Sequence, residues 1–565
     1  MQVIFRVGGF AVLLLVFWLA SVACAAPAAA ATGADDPPAV STGLQRLDWV
    51  LIGVYACTTL GIGWYYGRKQ RSTEEYFLGS GNMNPLLIGV SLFATLLSTI
   101  SYLGAAGEVI GKGPVILTTL ISLPLVYFIV AYWLLPMYMR QRVTSAYELL
   151  ELKLGVGIRL LGASMFVLMR LFWMSLLVYL AAKAMVVMMG IKAEHIPTVV
   201  FYTGLIAVVY TSIGGLRAVV VTDCLQTLLL FGGALLVVAS VTIEMGGFGW
   251  FPTSWHPSWD AQPVFSLDPK TRVTVVGSLL SFFVWYVCTL GGDQTAIQRF
   301  MATRDAATAR WACAVQLTVT VVVTVTLGLV GMALLGYFEA HPERLPVGMT
   351  LQQDADFIFP RYIAYHLPVG VAGLVVSAMF AAAMSSIDSG INSITAVVTS
   401  DFLDRFGRSP KTERGHLMFS RVMAFSIGTI VVLCSSLVAV VPGNITEVTN
   451  KTVNLLPAPI FGLFFFALFV PFARPAGVWA GTICGVLMGA IVAFSGPLVT
   501  LLDLQFGIPA ATFGVELLAR VDSVTGVESV IAEDPISFQW IAPLALLVDV
   551  VVGLAVSWGL SKRDG

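Results

Sequence analysis

The feature that constrains this chain most is a succession of apolar stretches, each about as long as a membrane-spanning helix. Such a helix needs about 20 mostly apolar residues to cross the hydrocarbon core of a bilayer. Thirteen stretches fit that description, at residues 49–66, 85–110, 114–139, 160–189, 197–213, 219–245, 273–290, 311–337, 367–398, 419–441, 453–472, 478–495 and 541–560. The pattern predicts an all-α polytopic membrane protein with 13 transmembrane helices in contact with the lipid bilayer.

Composition agrees with a membrane location and argues against other function classes. Hydrophobic residues make up 58% of the 565 positions and charged residues 11%, whereas soluble domains carry roughly 25% charged residues. The net charge of −1 gives no basic field that would attract nucleic acid. The seven cysteines form no CxxC pair, and the sequence has no P-loop, GxSxG elbow or HExxH motif. We therefore expect neither an enzyme nor an organic cofactor.

The start of the chain has the layout of a cleaved signal peptide, which we predict at residues 1–31. Arg6 supplies a positive start, an apolar core follows at residues 7–23, and small residues continue to Ala31. An additional spanning helix is the alternative interpretation. Residues 32–47 are predicted to form an exported N-terminal tail.

Lysine and arginine are distributed unevenly between the predicted loops on the two sides of the membrane. With the tail outside and the spans alternating, the segments assigned to the cytoplasm hold 19 basic residues and those assigned to the outside hold 9. Cytoplasmic loops are normally the more basic ones. The sequence therefore predicts a multi-pass protein of the plasma (inner) membrane, with the N-terminus outside and the C-terminus in the cytoplasm.

Two of the apolar stretches contain residues that interrupt a membrane helix. The second stretch carries five serines and threonines, with four glycines following between residues 104 and 113, and the seventh is followed directly by the sequence GGDQ at residues 291–294. Interrupted helices at corresponding positions of two halves mark the binding site of many transporters, although small residues can also serve ordinary helix packing. The spacing predicts inverted five-helix repeats at 85–245 and 273–472. A leading helix at 48–67 and two trailing helices with an outer loop at 476–565 complete the plan.

The ninth stretch combines small and hydroxyl residues on one helical face. Ala382, Ser385, Ser386 and Ser389 have the i, i+3, i+4, i+7 spacing of such a face. Hydroxyl and carbonyl oxygens suit a small hard cation, whereas serines that only bond their own helix carbonyls would be unremarkable. Asp388 lies at the edge of the face, and a carboxylate at this depth costs roughly 2.5–3.5 kcal/mol on insertion scales. We therefore expect it to have a partner or an ion.

Five segments of the chain resemble the sodium:solute symporter family, which includes the sodium/glucose, iodide, monocarboxylate and bacterial sialic acid cotransporters. These segments are SLFATLLS at 91–98, TSIGGLRA at 211–218, TDCLQT at 222–227, DQTAIQR at 293–299 and MSSIDS at 384–389. The resemblance implies a LeuT-type core of inverted five-helix repeats, with one leading and two trailing helices.

The resemblance also implies ion sites, with sodium as the coupling ion. The residues that match the family's main sodium site are Ala94, Leu97, Ala382, Ser385 and Ser386. A second sodium site, found in some members, is matched by Asp223 and Ser389, with Asp388 standing where a serine is common.

Arg170 is the most unusual residue of the fourth stretch. It follows Arg159 by eleven residues, which places it roughly 16 Å into the bilayer. A guanidinium at that depth needs an acid or an anionic substrate, so a structural pair with Asp223 or Asp388 is one interpretation. In the sialic acid members an arginine that resembles Arg170 holds the substrate carboxylate. Our candidates for solute binding are Ser98, Ser101, Arg170, Trp285 and Tyr286.

Together these features predict a sodium-coupled secondary symporter that imports a small organic solute by alternating access. The deep arginine favours a carboxylate-bearing solute, either sialate-like or a monocarboxylate. A sodium/sugar or polyol symporter of the same family is the main alternative. A membrane sensor built on this core is a further alternative. A channel is another, and it would need a continuous polar pore.

Overall fold

The computed structural model describes residues 44–562 apart from 142, 258, 260–262, 347, 353, 437–450, 452 and 522–527. The predicted signal peptide and nearly all of the predicted exported tail lie outside these residues. Most of the described chain is helical.

The helices fall in two groups separated by a long loop. The first group comprises α1 (Arg46–Lys69), α2 (Thr73–Leu78), α3 (Pro85–Leu96), α4 (Thr99–Lys112), α5 (Pro114–Tyr138), α6 (Glu148–Leu154), α7 (Val156–Met188) and α8 (Ile196–Glu244). The second comprises α9 (Val275–Gly292), α10 (Gln294–Met301), α11 (Ala306–Ala340), α12 (Ala355–Tyr365), α13 (Val371–Asp404), α14 (Glu413–Ser435), α15 (Pro457–Phe469), α16 (Pro475–Ala493), α17 (Ser495–Phe506) and α18 (Ile541–Ser561).

Ten helices in the described part of the chain are long and apolar enough to cross a membrane, and eleven when the bent pair α3 and α4 is counted as one span. A shorter apolar helical segment, Val453–Phe469, includes α15. The protein is therefore a helical membrane protein with about ten apolar helices, and thirteen separate crossings stay a prediction.

Helix α8 contains two of the predicted stretches and changes direction between them. Gly215 has φ 58° and ψ −168°, a conformation that residues with a side chain rarely adopt. A Cβ at this position would meet Gln70 and Tyr76 at 2.7 Å. A straight helix of 49 residues would be roughly 70 Å long, more than twice the thickness of the hydrocarbon core. The glycine therefore supplies the break that allows one continuous segment to turn.

The predicted interruptions of the second and seventh stretches are confirmed. Helices α3 and α4 meet at a bend of 68°, with Leu97 and Ser98 in extended conformations between them. Helix α9 ends at Gly292, and the following residue, Asp293, is also extended (φ −87°, ψ 125°) and precedes α10. Each new helix begins with a side-chain cap, because Ser98 accepts from the amide of Ser101 and Asp293 accepts from the amide of Thr295. Polar residues at these positions therefore satisfy the free helix ends.

Helix α13 forms the centre of the bundle. Every residue from Val375 to Val397 is buried, and the helix packs against α1, α7 and α8. A helix that is buried on all sides belongs to the interior of a larger assembly of helices. The small and hydroxyl face predicted from the sequence therefore lies inside protein and does not face lipid.

Two expectations need correction. The chain is not purely helical, since strands β1 (Leu517–Val521) and β2 (Glu528–Ala532) form an antiparallel hairpin in the loop before α18, with Leu517 paired to Ala532. Three arginines that were counted as cytoplasmic loop residues are buried inside the protein, namely Arg159, Arg299 and Arg421. The remaining sixteen basic residues still outnumber the nine on the other side.

Candidate solute and sodium sites

A cavity of about 230 Å³ lies beside the two helix breaks. Its wall combines nine apolar residues with ten polar or charged ones, so it offers a small molecule both apolar surface and hydrogen-bonding groups. The lining residues are Thr95, Leu96, Ser101, Ile116, Thr119, Met169, Arg170, Trp173, Ser278, Ser281, Phe282, Trp285, Thr289, Asp293, Val453, Asn454, Pro457, Phe538 and Gln539.

Three of the five predicted solute residues line this cavity: Ser101, Arg170 and Trp285. Ser98 is the cap of α4, with its Oγ 3.0 Å from that of Ser101. Tyr286 is buried behind the wall, where its ring packs on Phe282 with 4.6 Å between the centroids. The structure favours the first three residues over Ser98 and Tyr286. Adjacent helical residues point in directions about 100° apart, so Trp285 and Tyr286 face different surroundings.

Arg170 pairs with an acid that we did not expect. Its Nη2 donates to Oδ2 of Asp293 at 2.6 Å, and both side chains are at least nine-tenths buried. The predicted pairing with Asp223 or Asp388 is therefore wrong. Asp293 uses its other oxygen, Oδ1, to accept the amide of Thr295 at 2.7 Å. The Nε donor of Arg170 has no hydrogen-bond partner among the described residues, so the guanidinium in the cavity wall keeps an unused donor.

The residues matched to the main sodium site come together where α3 ends beside α13. The hydroxyl of Ser385 donates to the backbone oxygen of Ala94 at 2.6 Å. Leu97 occupies the break itself, and the last carbonyls of a helix lack intrahelical partners. Ala382 and Ser386 lie on the same buried helix as Ser385. Carbonyl and hydroxyl oxygens that meet in a buried region suit a sodium ion. Such an ion would bind both oxygens in place of the hydrogen bond between Ser385 and Ala94.

The three residues of the predicted second site are also close together, but an arginine lies among them. Asp223, Asp388 and Ser389 are all fully buried. Arg299 Nη2 lies 3.3 Å from Oδ2 of Asp223 and donates to the hydroxyl of Ser389. Tyr210 donates its hydroxyl to Asp388. Oδ1 of Asp223 has no hydrogen-bond partner within the part of the chain that the structure describes.

The charges of this second cluster do not balance. Two carboxylates face one guanidinium, which leaves one negative charge in excess when all three groups are ionised. Burying an unpaired charge is costly, so the cluster needs either a proton on one carboxylate or a single monovalent cation. Sequence reasoning missed Arg299 because it follows the break after α9 and was assigned to a cytoplasmic loop.

Comparisons with known proteins identify the family. The sequence profile described as the sodium:solute symporter family matches residues 76–485. The chain belongs to this family. It is 28% identical over 464 residues to the sodium/sialic acid symporter SiaT of Proteus mirabilis, covering 78% of this chain and 87% of the relative. It is 26% identical over 536 residues to a putative sodium-dependent multivitamin transporter of Drosophila melanogaster, covering 91% of this chain and 87% of the relative. These relatives are transporters and not enzymes.

A solved structure shares the fold of this chain. It shows a Na+-coupled sialic acid symporter in a substrate-bound outward-open state, with a TM-score of 0.72 and 23% sequence identity. The match covers 90% of this chain and 97% of the other. The predicted LeuT-type helical transporter fold is therefore confirmed.

Proposed function

We propose that this sodium-coupled symporter imports a small organic anion with a carboxylate group. The observation that carries this proposal is Arg170, a buried guanidinium in the wall of the cavity with an unused Nε donor. The planar guanidinium can hold a carboxylate through two parallel hydrogen bonds. A neutral sugar has no carboxylate to compete with Asp293 for this guanidinium, so we expect it to bind less tightly. The names of the relatives, which include sialic acid symporters, support an acidic solute.

The main sodium ion is proposed to bind between α3 and α13. Ala94, Leu97 and Ala382 would supply backbone oxygens, and Ser385 and Ser386 would supply hydroxyl oxygens. Asp223, Asp388 and Ser389 would hold a second cation beside Arg299. Sodium supplies the driving force, because moving one positive charge inward gains about 2.3 kcal/mol per 100 mV of membrane potential.

Coupling between ion and solute follows because both would contact residues at the break between α3 and α4. Ala94 and Leu97 belong to the sodium side of this break, whereas Thr95 and Ser101 line the cavity. Thr95 also places its Oγ1 2.9 Å from Oγ of Ser389 on α13. An ion that holds α3 against α13 would therefore stabilise the cavity wall, which gives both ligands a preference for the same state.

The membrane arrangement is part of the same proposal. Thirteen crossings would follow a cleaved signal peptide, with inverted repeats at 85–245 and 273–472. The matching positions of the two broken helices, second and seventh in order, support this division. The orientation places the loop before α18 outside and the end of α18 in the cytoplasm of a cell bounded by the plasma (inner) membrane.

Uptake into proteoliposomes tests the function. Labelled N-acetylneuraminate, pyruvate and pantothenate should accumulate only with an inward sodium gradient, and an inward potassium gradient should not replace it. Glucose and a polyol serve as neutral probes. Accumulation of the neutral probes alone would favour the sugar symporter, and entry that ignores the sodium gradient would favour a channel. Sodium-dependent binding without accumulation would favour a sensor.

A further inference from the structure

Part of the cavity wall comes from beyond the segment that matches the family profile. The profile ends at residue 485, whereas Phe538 and Gln539 line the cavity from the short helical turn Phe538–Trp540 that precedes α18. The last helix therefore contributes side chains to the solute site through its N-terminal turn.

Gln539 is held firmly in this wall. It is only 3% exposed, and its Nε2 donates to Oγ of Ser278 at 2.7 Å. Its Oε1 accepts from the amide of Thr274 at 3.3 Å. A Cβ at Gly277 would lie inside the contact distance of the same Oε1, so the lack of a side chain at this position makes room for the amide.

The neighbouring residue fixes the turn from the other side. Oγ of Ser537 donates to the backbone oxygen of Arg272 at 2.6 Å, and the amide of Ser537 donates to the backbone oxygen of Pro269 at 2.8 Å. Both partners belong to the segment that leads into α9. The turn is thus attached to the start of the helix whose other end carries Asp293.

One face of α9 runs the length of the cavity. The lining residues Ser278, Ser281, Phe282, Trp285, Thr289 and Asp293 follow each other at helical spacing. Ser278 and Asp293 are fifteen residues apart, which corresponds to roughly 22 Å along the helix. Arg170 lies beside Asp293 and Gln539 lies beside Ser278, so the two side chains contact opposite ends of this face.

We propose that Ser278 and Gln539, with the ring of Phe538, form a distal recognition site for an uncharged hydrogen-bonding group of the solute, which the solute occupies on its way to Arg170. The second Nε2 hydrogen and the second lone pair of Oε1 of the Gln539 amide are the groups that would contact it. Phe538 supplies an apolar surface for the body of the solute. This inference rests on the proposed function of the same cavity.

Charge at residue 539 distinguishes a recognition role from a structural one. Gln539→Ala should raise the KM for N-acetylneuraminate uptake about three- to tenfold with little change in Vmax. Gln539→Glu should raise it further, because a carboxylate at the distal site repels an anion, and high salt should reduce the difference. Gln505→Glu, an exposed glutamine on α17 in the same loop, is the matched control. Pyruvate, which offers fewer uncharged groups, should respond less to the alanine variant.

Gly277→Ala gives an independent test, because the added methyl group should displace the amide. It should reproduce the effect of Gln539→Ala, and the double variant should be no worse than either single one. A KM for N-acetylneuraminate that is the same in wild type, Gln539→Ala and Gln539→Glu would overturn the distal site. An equal loss of N-acetylneuraminate and pyruvate uptake together with a lowered melting temperature would also overturn the distal site. That result would mean that residue 539 only contributes to the packing of the protein.

If the wild type transports neither N-acetylneuraminate nor pyruvate, a result that bears on the proposed function alone, a thiol experiment still tests the position of residue 539. In a Ser281→Cys protein, the bulkier side chain of Gln539→Trp should slow the reaction of residue 281 with an impermeant thiol reagent, as read by mass spectrometry. Phe265→Trp, at an 80% exposed loop position, should not slow it. Equal labelling of residue 281 in both proteins would show that residue 539 does not lie on the path into the cavity.

Discussion

Arg299 Nη2 lies 3.3 Å from Oδ2 of Asp223, and neither side chain is more than 1% exposed. The two residues are 76 positions apart in the chain, on α10 and α8. Ser91 from α3 joins them, because it donates to Oδ2 of Asp223 at 2.5 Å and accepts from Nε of Arg299 at 2.8 Å. The pair therefore links both broken helices to the kinked helix α8.

Removing the positive charge of this pair should be strongly destabilising. Arg299→Gln leaves Asp223 and Asp388 without their cation, and breaking a buried ion pair costs about 3–5 kcal/mol. We expect a clearly lower melting temperature in detergent, partly restored in Arg299→Gln/Asp223→Asn. Arg304→Gln, at a side chain that is 71% exposed, is the control. Equal melting temperatures for the two single variants would mean that Arg299 does not hold this cluster together.

Sodium affinity should depend on two serines of α13 and not on a third. Ser385→Ala and Ser386→Ala each remove a proposed hydroxyl ligand, and an interaction with a charged group contributes about 1.5–3 kcal/mol. The apparent sodium affinity should therefore fall roughly tenfold or more. Ser377→Ala is the matched control, because Ser377 is buried in the same helix and donates to its own Gly373 oxygen at 2.7 Å. Sodium titration of thermal stability checks this, and unchanged titrations in both variants would place the ion elsewhere.

Arg170 and Asp293 should have opposite effects on the binding of an acid. Arg170→Gln should weaken carboxylate binding by about 30-fold or more, since losing one partner of a buried charge pair costs about 2–5 kcal/mol. Asp293→Asn removes a carboxylate that competes with the solute for Arg170, while its amide oxygen can still cap α10, so binding should tighten. Calorimetry with N-acetylneuraminate in sodium measures both. If Asp293→Asn weakens binding as much as Arg170→Gln does, the pair is a structural unit and not a site opened by the solute.

The sequence revealed those parts of the site whose chemistry differs from an ordinary membrane helix. The glycines and polar residues around 98 and 293 predicted the broken helices because they are unusual in an apolar stretch. Ala94 and Ala382 carry no chemistry in their side chains, so the family resemblance alone could name them. The partners of Arg170 and Asp223 could not be read from the sequence, since 123 and 76 residues separate the paired side chains. Gln539 gave no signal, because an isolated glutamine before an apolar helix is typical of an interfacial loop.

Stability should also depend on the protonation of Asp356 in the loop helix α12. Burial, reinforced by nearby Glu108 and opposed by Arg272, raises the pKa of Asp356 to about 6. An acid whose pKa is raised on folding stabilises the fold below its unfolded value of about 4 and loses that contribution as the pH rises through 6. Asp356→Asn should therefore stabilise the protein by on the order of 1–3 kcal/mol at pH 7.5 and by little at pH 4.5. Melting curves at both pH values, with the exposed Glu343→Gln as control, test this, and a gain that does not depend on pH would contradict it.

The orientation in the membrane can be tested with two exposed positions on opposite faces of the proposed topology. Ala511 lies in the loop before α18 and Arg408 lies between α13 and α14, and both are exposed. The excess of basic residues in the loops on the side of Arg408 predicts that this side is cytoplasmic. In intact cells, Ala511→Cys should react with an impermeant thiol reagent, whereas Arg408→Cys should react only after lysis. The reverse labelling pattern would mean that the protein has the opposite orientation in the membrane. The solute would then enter the cavity beside Arg170 from the other side. Labelling of both positions in intact cells would instead mean that they lie on the same side of the membrane. The thirteen-span arrangement requires an odd number of crossings between them, so that result would contradict it.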